Sequence, residues 1–382
     1  MTEPRRIAVV TGSRAEFGLL APVMRAIAAH DALTLGTIVA GAHLVSGTDA
    51  DVEAAGFTID ARVAMHDADG VGNVGGRTGR AADAVALGRG VGGFAGVFEA
   101  MKPAVVVVLG DRIEAFAAAA AASVGGVRVA HLHGGDRAEG VADEAMRHAV
   151  TKLAHLHLPA TAESRRRIIR MGEAPEHVFR VGSPAVDGLR AVRPATGGPR
   201  AIVLQHPIGD DAETERRRMA ETLAATAAIG PRLVLMPNTD PGCEGVQRAI
   251  EESGLQPTDD GGGDGQARVG LASHLPRERF LAMLKGAAVI VGNSSAGLIE
   301  AAALRTPCVN VGPRQGGRQR PANVVDCDYG RANVEAAIRR ALDLDLRSNR
   351  HPYGSGRTGP AVAELFAAVD LDAIPIRKRN RY

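Results

Sequence analysis

The segment HLHGGDRAEGVADEAMRH, residues 131–148, is the part of this chain richest in side chains that can transfer protons. It places three histidines among aspartates, glutamates and arginines. Carboxylates crowded beside arginines and histidines acquire distinct pKa values, which paired proton transfers require. The candidate acid/base residues, which follow predicted strands or open the next helix, are Asp111, His133, Asp136 and Asp143. For Asp143, compensation of the helix dipole is an equally good explanation.

Two His-x-His pairs raise the alternative of a metal site. His131 with His133, and His155 with His157, have the spacing that places two side chains on one side of a strand, as zinc or iron ligands would be. No acidic ligand stands beside the second pair, and buried histidines bonded to the backbone are commoner. We therefore predict no metal and favour acid/base chemistry.

A second polar group, in GNSSAGLIEAAALRTP at 292–307, has the features of an anion site. Asn293, Ser294 and Ser295 stand between a β run and a stretch of good helix formers, with Gly297 just beyond. Hydroxyls and free backbone N–H groups are expected to converge there at the start of a helix.

Three further residues near this segment have two interpretations each. Glu300, inside the predicted helix, either accepts hydrogen bonds from ribose hydroxyls or is a solvated surface residue. Arg314 and Arg318, in the Gly-rich loop after the next strand, either neutralise a diphosphate or are ordinary surface arginines.

Short β-rich runs alternate with longer segments of helical period, which predicts parallel strands joined by helices. Polar clusters come directly after these strands, where open parallel sheets bind ligands. The predicted strands are 7–10, 35–40, 104–110, 127–133, 155–161, 178–182, 201–206, 232–238, 287–293 and 307–312. The predicted helices of the first half are about 16–30, 80–100, 113–124, 142–153 and 162–172.

The pattern is interrupted once, which predicts two domains. The stretch LRAVRPATGGPR at 189–200 lacks apolar periodicity, so we interpret it as a linker between a domain over 1–188 and a domain over 201–356. A C-terminal helix and basic tail follow over 357–382, and we predict that the end of the tail, IRKRNRY, is solvated.

Composition excludes several classes of protein. Lys and Arg number 45 against 43 Asp and Glu, which is too balanced for a surface that binds nucleic acid or membranes. The 3 cysteines show no CxxC spacing, and no apolar stretch is long enough for a signal peptide or a membrane helix, so we predict a cytoplasmic protein. A GxGxxG match at 70–75 does not follow a strand, which argues against a dinucleotide cofactor.

Long motifs carry a specific resemblance. Over about residues 7–330 the chain contains, in this order, VVTGSRAEFGLL, GDRIEAFAAA, AHLHGGDRAEGVADEAMRHAVTKLAHLH, RVGSPAVD, LQHP and VGNSSAGLIEAAALRTPCVNVGPRQGGR. With these motifs it closely resembles the hydrolysing UDP-N-acetylglucosamine 2-epimerases, which include the first enzymes of bacterial sialic acid and legionaminic acid synthesis. The resemblance implies an α/β fold with two Rossmann-like doubly wound domains and an interdomain cleft, as in glycosyltransferase-B-like proteins. It also implies that the C-terminal helix and tail over 357–382 pack back on the N-terminal domain.

The resemblance also implies a reaction. A base removes the C2 proton of the sugar, UDP leaves from C1 to give a 2-acetamidoglycal, and water adds with inversion at C2. The substrate would be UDP-GlcNAc or a UDP- or GDP-linked 2,4-diacetamido-trideoxyhexose, with no metal or other cofactor required. By resemblance, Asp111 and Asp143 fall on the catalytic carboxylates of the family. Residues that fall on contacts to the diphosphate, sugar or nucleotide are Arg14, Arg112, His206, Ser294, Ser295, Glu300 and Arg314.

The chain departs from the family pattern at the second acid/base group. His133 stands where animal-type members carry a catalytic glutamate, and Asp136 gives HGGD where many bacterial members have HGGE. Either residue is a candidate for the second proton transfer. Glu244 replaces a lysine that some members have, which is compatible with a different sugar or base.

Three other functions remain as alternatives: a non-hydrolysing epimerase, a glycosyltransferase and a non-catalytic nucleotide-sugar-binding protein. In each case the expected partner is a nucleotide sugar. Because members of the resembling family are commonly oligomers, a homodimer or homotetramer is also expected.

Overall fold

The computed structural model describes residues 3–67, 73–74, 77–138, 144–238, 240–257, 270–273 and 275–381. Most of the GxGxxG match at 70–75 lies outside these residues. None of the helices in the described ranges combines the length and the apolar character needed to cross a membrane.

The chain divides into two compact units. The first contains the chain up to Asp136, the segment that runs to Asp187, and everything from Tyr353 onward, whereas the second contains Gly188–Pro352 and the short stretch that begins at Arg137. The C-terminal segment therefore belongs to the same unit as the N-terminus.

The first unit is a doubly wound α/β unit. Its elements are β1 (Arg5–Thr11), α1 (Arg14–Ala28), β2 (Leu33–Ala40), α2 (Ala42–Ser46), α3 (Asp49–Ala54), β3 (Ala61–Val63), β4 (Asn73–Val74), β5 (Arg77–Thr78), α4 (Gly79–Met101), β6 (Val105–Leu109), α5 (Ile113–Val124), β7 (Arg128–Leu132), α6 (Glu144–Leu153), β8 (Leu156–Leu158) and α7 (Ala162–Arg170). Six strands pair in parallel in the order β3-β2-β1-β6-β7-β8, and β4 pairs with β5 in a separate antiparallel hairpin.

The second unit repeats this arrangement. Its elements are β9 (Ala201–Leu204), α8 (Ala212–Thr226), β10 (Arg232–Leu235), α9 (Cys243–Glu252), β11 (Gly270–Ala272), α10 (Arg277–Gly286), β12 (Val289–Gly292), α11 (Glu300–Leu304), β13 (Cys308–Val311), β14 (Val324–Cys327) and α12 (Arg331–Leu342). Its sheet is parallel throughout, in the order β11-β10-β9-β12-β13-β14. Counted within each sheet, both orders are 3-2-1-4-5-6, the order of Rossmann-type folds.

Both faces of the first sheet are covered, which explains its unbroken apolar strands. Along β1, Ile7 and Val9 pack into a core with Leu20 of α1, whereas Ala8 and Val10 belong to a core that includes Phe94 of α4. Strands buried on two faces contain continuous apolar runs because side chains alternate between the faces. In β6 the run is VVVVL, and every residue in it is buried.

The last helix, α13 (Thr358–Ala368), packs on α1. A side chain at Gly359 would collide with the carbonyl oxygen of Pro22, so the missing side chain allows close approach. The carboxylate of Asp187 accepts the N–H groups of Thr358 (2.9 Å) and Gly359 (2.7 Å), which are unpaired donors of the first helical turn.

The prediction of a solvated basic tail is wrong for Lys378. Its ammonium group contacts Glu173 at 2.7 Å and donates to the carbonyl oxygen of Lys152 at 2.8 Å. The backbone N–H of Arg381 donates to Gly172. Lys152 lies in α6, and Gly172 and Glu173 follow α7. A basic sequence at the end of the chain does not reveal partners that are so distant in sequence.

The structure confirms most of the predicted elements. Strands occur within nine of the ten predicted strand segments, and the five predicted helices of the first half are present. The strand predicted over 178–182 is wrong, because within it Val178 alone forms a single bridge, with His157. Sequence reasoning did not predict β3, β11 and β14, nor the short hairpin strands β4 and β5.

Candidate functional site

Each sheet has a switch point, where the strand order reverses and ligands bind beyond the carboxyl ends of the strands. In the first unit it lies between β1 and β6, which pair directly. The segments that leave these strands carry Arg14 and the pair Asp111 and Arg112. The neighbouring β7 leads into His133 and Asp136.

Asp111 forms an ion pair with the buried Arg147 of α6. The same guanidinium group lies 3.5 Å from Glu144 and donates to the backbone carbonyl of Asp136 at 3.3 Å. The ion pair holds the carboxylate of Asp111 in place. The side chain is 21% exposed, so the carboxylate still reaches solvent. It is therefore a charged group with a fixed position at the switch-point edge.

His133 lies at the centre of a line of hydrogen bonds. Its Nδ1 is 2.9 Å from Asp136 Oδ2, and its Nε2 is 2.8 Å from Ser183 Oγ. The other oxygen of Asp136 accepts a hydrogen bond from Ser164 Oγ at 2.6 Å. Because His133 and Asp136 are both buried, the carboxylate fixes the orientation of the ring and selects its tautomer.

The expected pairing of histidines along one strand is wrong for His131 and His133. His131 lies in β7, where its nitrogens contact the carbonyl oxygen of Gly110 at 2.8 Å and Thr151 Oγ1 at 3.2 Å. Burial lowers the pKa of His131 to about 3, so the ring is neutral. His133 lies beyond the strand with φ of +62°, so it does not continue the alternation of β7, and its ring contacts Asp136 and Ser183 instead.

The second pair has separate partners as well. His155 receives the N–H of Val129 at 3.1 Å, and His157 lies 3.1 Å from Glu173. Within the described ranges, no three His, Cys, Asp or Glu side chains come together as ligands of a metal ion would.

Two buried glutamates support the turn after β1. Glu16 Oε2 accepts the N–H of Gly12 at 2.6 Å, and a side chain at Gly12 would collide with Glu114. Burial raises the pKa of Glu16 to about 8, which the nearby charge of Glu114 also favours. Glu114 in turn lies 3.2 Å from Nε of Arg112 and 3.3 Å from the N–H of Ala42. The contact with Glu114 fixes one edge of the Arg112 guanidinium group.

Arg14 is the first residue of α1 and is more exposed. Its Nε lies 2.8 Å from Asp51, and both side chains are about two-fifths exposed. Ser13 caps the helix by accepting the N–H of Glu16. Asp143 lies outside the described residues, so its predicted role remains a prediction.

In the second unit, His206 and Asn293 are joined at the switch point between β9 and β12. Asn293 Oδ1 accepts the backbone N–H of His206 at 2.7 Å, and Asn293 Nδ2 donates to its carbonyl oxygen at 2.8 Å. The ring of His206 accepts the N–H of Asn238 at 3.1 Å. Burial, with a smaller contribution from the charge of Arg314, lowers the pKa of His206 to about 3. A neutral imidazole is therefore positioned at this edge.

The helix predicted to begin directly after Ser295 begins later. Ser294 caps a 3-10 turn over Ser295–Gly297, and the α-helix that follows, α11, starts only at Glu300. A side chain at Gly297 would collide with the sulfur of Cys308, so close packing of the turn explains this glycine. Since the two serines are only partly buried, their hydroxyls remain near the surface of the turn.

The remaining predicted contacts lie around this turn. Glu300 is buried and its carboxylate contacts Arg277 at 3.2 Å. Arg314 lies 3.4 Å from Asp240, and Arg318 donates its backbone N–H to Gln315. Glu300 is thus not the solvated residue that one interpretation allowed.

Sequence reasoning missed four supporting residues of the first unit: Glu16, Glu114, Ser164 and Ser183. The two glutamates stand inside quoted post-strand clusters, so their position was a usable signal. Ser183 is separated from His133 by 50 residues, and Ser164 lies in α7, so only the folded chain brings them to the acid/base group.

Together these observations define the class: a protein of two Rossmann-type units, one with an acid/base cluster and one with a polar turn at its switch point. The family model of UDP-N-acetylglucosamine 2-epimerase matches residues 25–367. The chain is 32% identical to UDP-N,N'-diacetylbacillosamine 2-epimerase (hydrolyzing) of Legionella pneumophila over 99% of this chain and 100% of that protein. It is 29% identical to UDP-N-acetylglucosamine 2-epimerase of Neisseria meningitidis, over 96% and 94% of the two chains.

The fold is similar to that of Methanocaldococcus jannaschii UDP-GlcNAc 2-epimerase, solved in complex with UDP-GlcNAc and UDP. The TM-score is 0.75 at 17% identity, covering 94% of this chain and 99% of that one. The chain belongs to the UDP-N-acetylglucosamine 2-epimerase family of enzymes. The resemblance and the α/β fold class predicted from sequence are confirmed.

Proposed function

We propose that this enzyme is a hydrolysing 2-epimerase that converts a UDP-linked 2-acetamido sugar into the free manno-configured sugar and UDP. The observation that carries the proposal is the acid/base cluster, in which Arg147 holds Asp111 and Asp136 holds His133 at one sheet edge. The 32% identity to the hydrolysing Legionella relative supports the hydrolytic outcome and makes UDP-N,N'-diacetylbacillosamine the first substrate to test.

The chemistry needs two proton transfers and one leaving group. A base takes the proton from C2, the bond between C1 and the diphosphate oxygen breaks, and the electron pair left at C2 forms the double bond of a 2-acetamidoglycal. Water then adds its hydroxyl at C1, and a proton returns to C2 on the opposite face. The sum is nucleotide sugar plus water giving free sugar plus UDP.

The proposed proton-transfer groups are Asp111, Asp143, and His133 oriented by Asp136. A general acid or base of this kind contributes about 10²–10⁴-fold to a rate when it is correctly positioned. Arg14 and Arg112 are the proposed cationic contacts that stabilise the departing diphosphate.

In the second unit the proposed nucleotide contacts surround the turn after β12. Ser294 and Ser295 offer hydroxyl groups, Arg314 offers positive charge, and neutral His206, whose Nδ1 accepts the N–H of Asn238, offers the N–H of its other ring nitrogen. The further proposed contacts are Asn293, Gly297, Glu300 and Arg318. The expected homo-oligomer and the cytoplasmic location remain predictions.

Incubation with UDP-GlcNAc and with UDP-N,N'-diacetylbacillosamine in deuterated water tests the proposal. Mass spectrometry and NMR are expected to show a free manno-configured sugar carrying deuterium at C2, together with UDP. Asp111→Asn is expected to lower kcat by about 100-fold or more. An epimerised sugar that stays linked to UDP would instead identify a non-hydrolysing epimerase, and UDP binding without turnover would identify a binding protein.

A further inference from the structure

His66 is a buried histidine that the proposed function has not used. It follows β3 by three residues, so it lies at the carboxyl edge of the first sheet, where β2 and β3 end in parallel. The next residue, Asp67, forms an ion pair with Arg89 of α4 at 2.6 Å, which ties this turn to the helix. The position of the backbone here is therefore defined.

The imidazole of His66 has no hydrogen-bond partner. The side chain is 8% exposed, and both ring nitrogens are buried without a donor or acceptor. A buried polar atom left in this state destabilises the folded protein. In the described part of the first unit, every other buried histidine uses at least one ring nitrogen in a hydrogen bond: His43, His131, His133, His155 and His157.

The surroundings of His66 belong to the switch-point edge. Asp83, in the first turns of α4, is near enough for the charges of His66, Glu114 and Arg112 to act on its pKa, which burial raises. No described residue gives the Asp83 carboxylate a hydrogen bond or an ion pair. Arg112 and Glu114 lie at the start of α5, which follows β6, so the groups that act on Asp83 belong to the same sheet edge as the acid/base cluster.

We infer that His66 contacts the substrate and that it recognises a hydroxyl or acetamido group of the sugar. This inference rests on the proposed function, because it assumes a nucleotide sugar at this edge. Each ring nitrogen of an imidazole can take part in one hydrogen bond, and a hydroxyl or amide group can donate to or accept from such a nitrogen. Binding then removes the cost of the unpaired nitrogens.

The sugar fits this position better than the diphosphate does. The carboxylate of Asp83 would repel a phosphate group brought next to His66. Asp83 is instead an acceptor for a second sugar hydroxyl or an amide N–H. A site with buried polar groups that need partners discriminates strongly against sugars that lack the matching group.

Three variants of the full-length enzyme test the inference: His66→Leu, His66→Gln and the matched control His155→Leu. Because His66 has no partners to lose, His66→Leu is expected to keep or raise Tm. It is expected to lower kcat/KM for the UDP sugar about tenfold or more, while Kd for UDP, measured by calorimetry, changes less than twofold. His66→Gln, which keeps a donor and an acceptor, is expected to recover part of kcat/KM.

The control distinguishes a structural histidine from a substrate contact. His155 bonds to the N–H of Val129 and the carbonyl of Ile376, so His155→Leu is expected to lower Tm and leave kcat/KM of the folded enzyme unchanged. A fall in Tm for His66→Leu would overturn the inference. An affinity for UDP that weakens by the same factor as kcat/KM for the UDP sugar would also overturn it. Unchanged kcat/KM would do the same, whereas a wild type that turns over no UDP sugar would overturn the proposed function first.

Discussion

At the scale of residues, Asp136 determines what His133 can do. The carboxylate accepts from Nδ1 of the ring, so Nε2 of the neutral ring is the acceptor that faces Ser183. Both oxygens of Asp136 are engaged, one by His133 and one by Ser164, and the side chain is buried. These contacts favour His133 as the proton carrier and Asp136 as the residue that positions it.

Asp136→Asn tests this division of roles. The amide keeps the size of the carboxylate but can present an N–H to Nδ1, which forces the wrong tautomer. We expect kcat to fall about 100-fold while KM changes less than threefold, because the effect acts on a proton transfer rather than on binding. Steady-state release of UDP measures both constants.

The control for this variant is Ser164→Ala, which removes a hydrogen bond to Asp136 and keeps its charge. We expect it to lower kcat less than tenfold. A wild-type kcat in Asp136→Asn would show that the carboxylate does not set the state of His133. Equal losses of kcat in Asp136→Asn and Ser164→Ala would show that these hydrogen bonds matter for the packing of the cluster and not for the tautomer of His133.

The site residues differ in how far the sequence could predict them. Asp111 and Arg112 follow a run of valines, and the polar pair marks a strand end by itself. Asp136 and His133 are three residues apart, so their contact follows from local sequence. Ser183 and Arg147 join the cluster from other elements, and only the fold shows which atoms they reach.

At the scale of elements, the turn from β1 to α1 depends on an acid that holds its proton. Glu16 is in the first turn of α1 and accepts the N–H of Gly12 at 2.6 Å. Burial raises its pKa to about 8, well above the ordinary value of 4.5. The folded protein therefore binds a proton that the unfolded chain has lost at neutral pH.

This difference predicts a pH dependence of stability. For an acid with a raised folded-state pKa, the contribution to stability is lost as pH rises from about 4.5 to about 8, by up to about 1.4 kcal/mol per pH unit. Glu16→Gln carries no proton to lose, so its stability relative to wild type is expected to increase over this range. Urea unfolding at pH 5, 6, 7 and 8 measures the difference, and a constant difference would contradict the raised pKa.

The strands that the sequence missed in the two parallel sheets share a physical cause. β3 (ARV) and β11 (GLA) are three residues long and lie at the edges of their sheets, so neither has an apolar run. β14 is also an edge strand, and its VVDC run is only partly buried. The wrongly predicted strand over 178–182 has the right composition, but Val178 alone bridges to β8. β8 is the edge strand of its sheet. A segment with the composition of a strand does not necessarily form a ladder of hydrogen bonds with such an edge.

At the scale of the whole molecule, the order of the elements followed from the sequence pattern and the return of the C-terminal helix to the first domain from the resemblance, but the contacts of the basic tail were not predictable. The β-rich runs resume after 189–200, so two parallel sheets followed from periodicity. The last segment depends on Glu173, which is buried and contacts Lys378 at 2.7 Å, Lys152 at 2.5 Å and His157 at 3.1 Å. These residues are far apart in sequence, and a basic tail does not reveal the acid that binds it.

Glu173→Gln is expected to loosen this end of the first unit. Burial alone would raise the pKa of Glu173, but hydrogen bonds from His157, Lys152 and Lys378 outweigh it and lower the pKa to about 2. The corresponding stabilisation is about 3 kcal/mol at pH 7, present above pH 4.5 and lost as pH falls towards 2. Urea unfolding at pH 7 is expected to show this loss, and trypsin is expected to cut the basic tail sooner.

The matched control for this variant is Glu176→Gln, three residues away in the same part of the chain. Glu176 pairs with Arg381 of the tail, but both side chains are at least half exposed, so solvent screens the pair. Its removal is expected to change neither stability nor the rate of tail cleavage measurably. Equal effects of the two substitutions would mean that the tail is held by its net charge, whereas an effect of Glu173→Gln alone would show that one buried carboxylate fixes the C-terminal segment to the first unit.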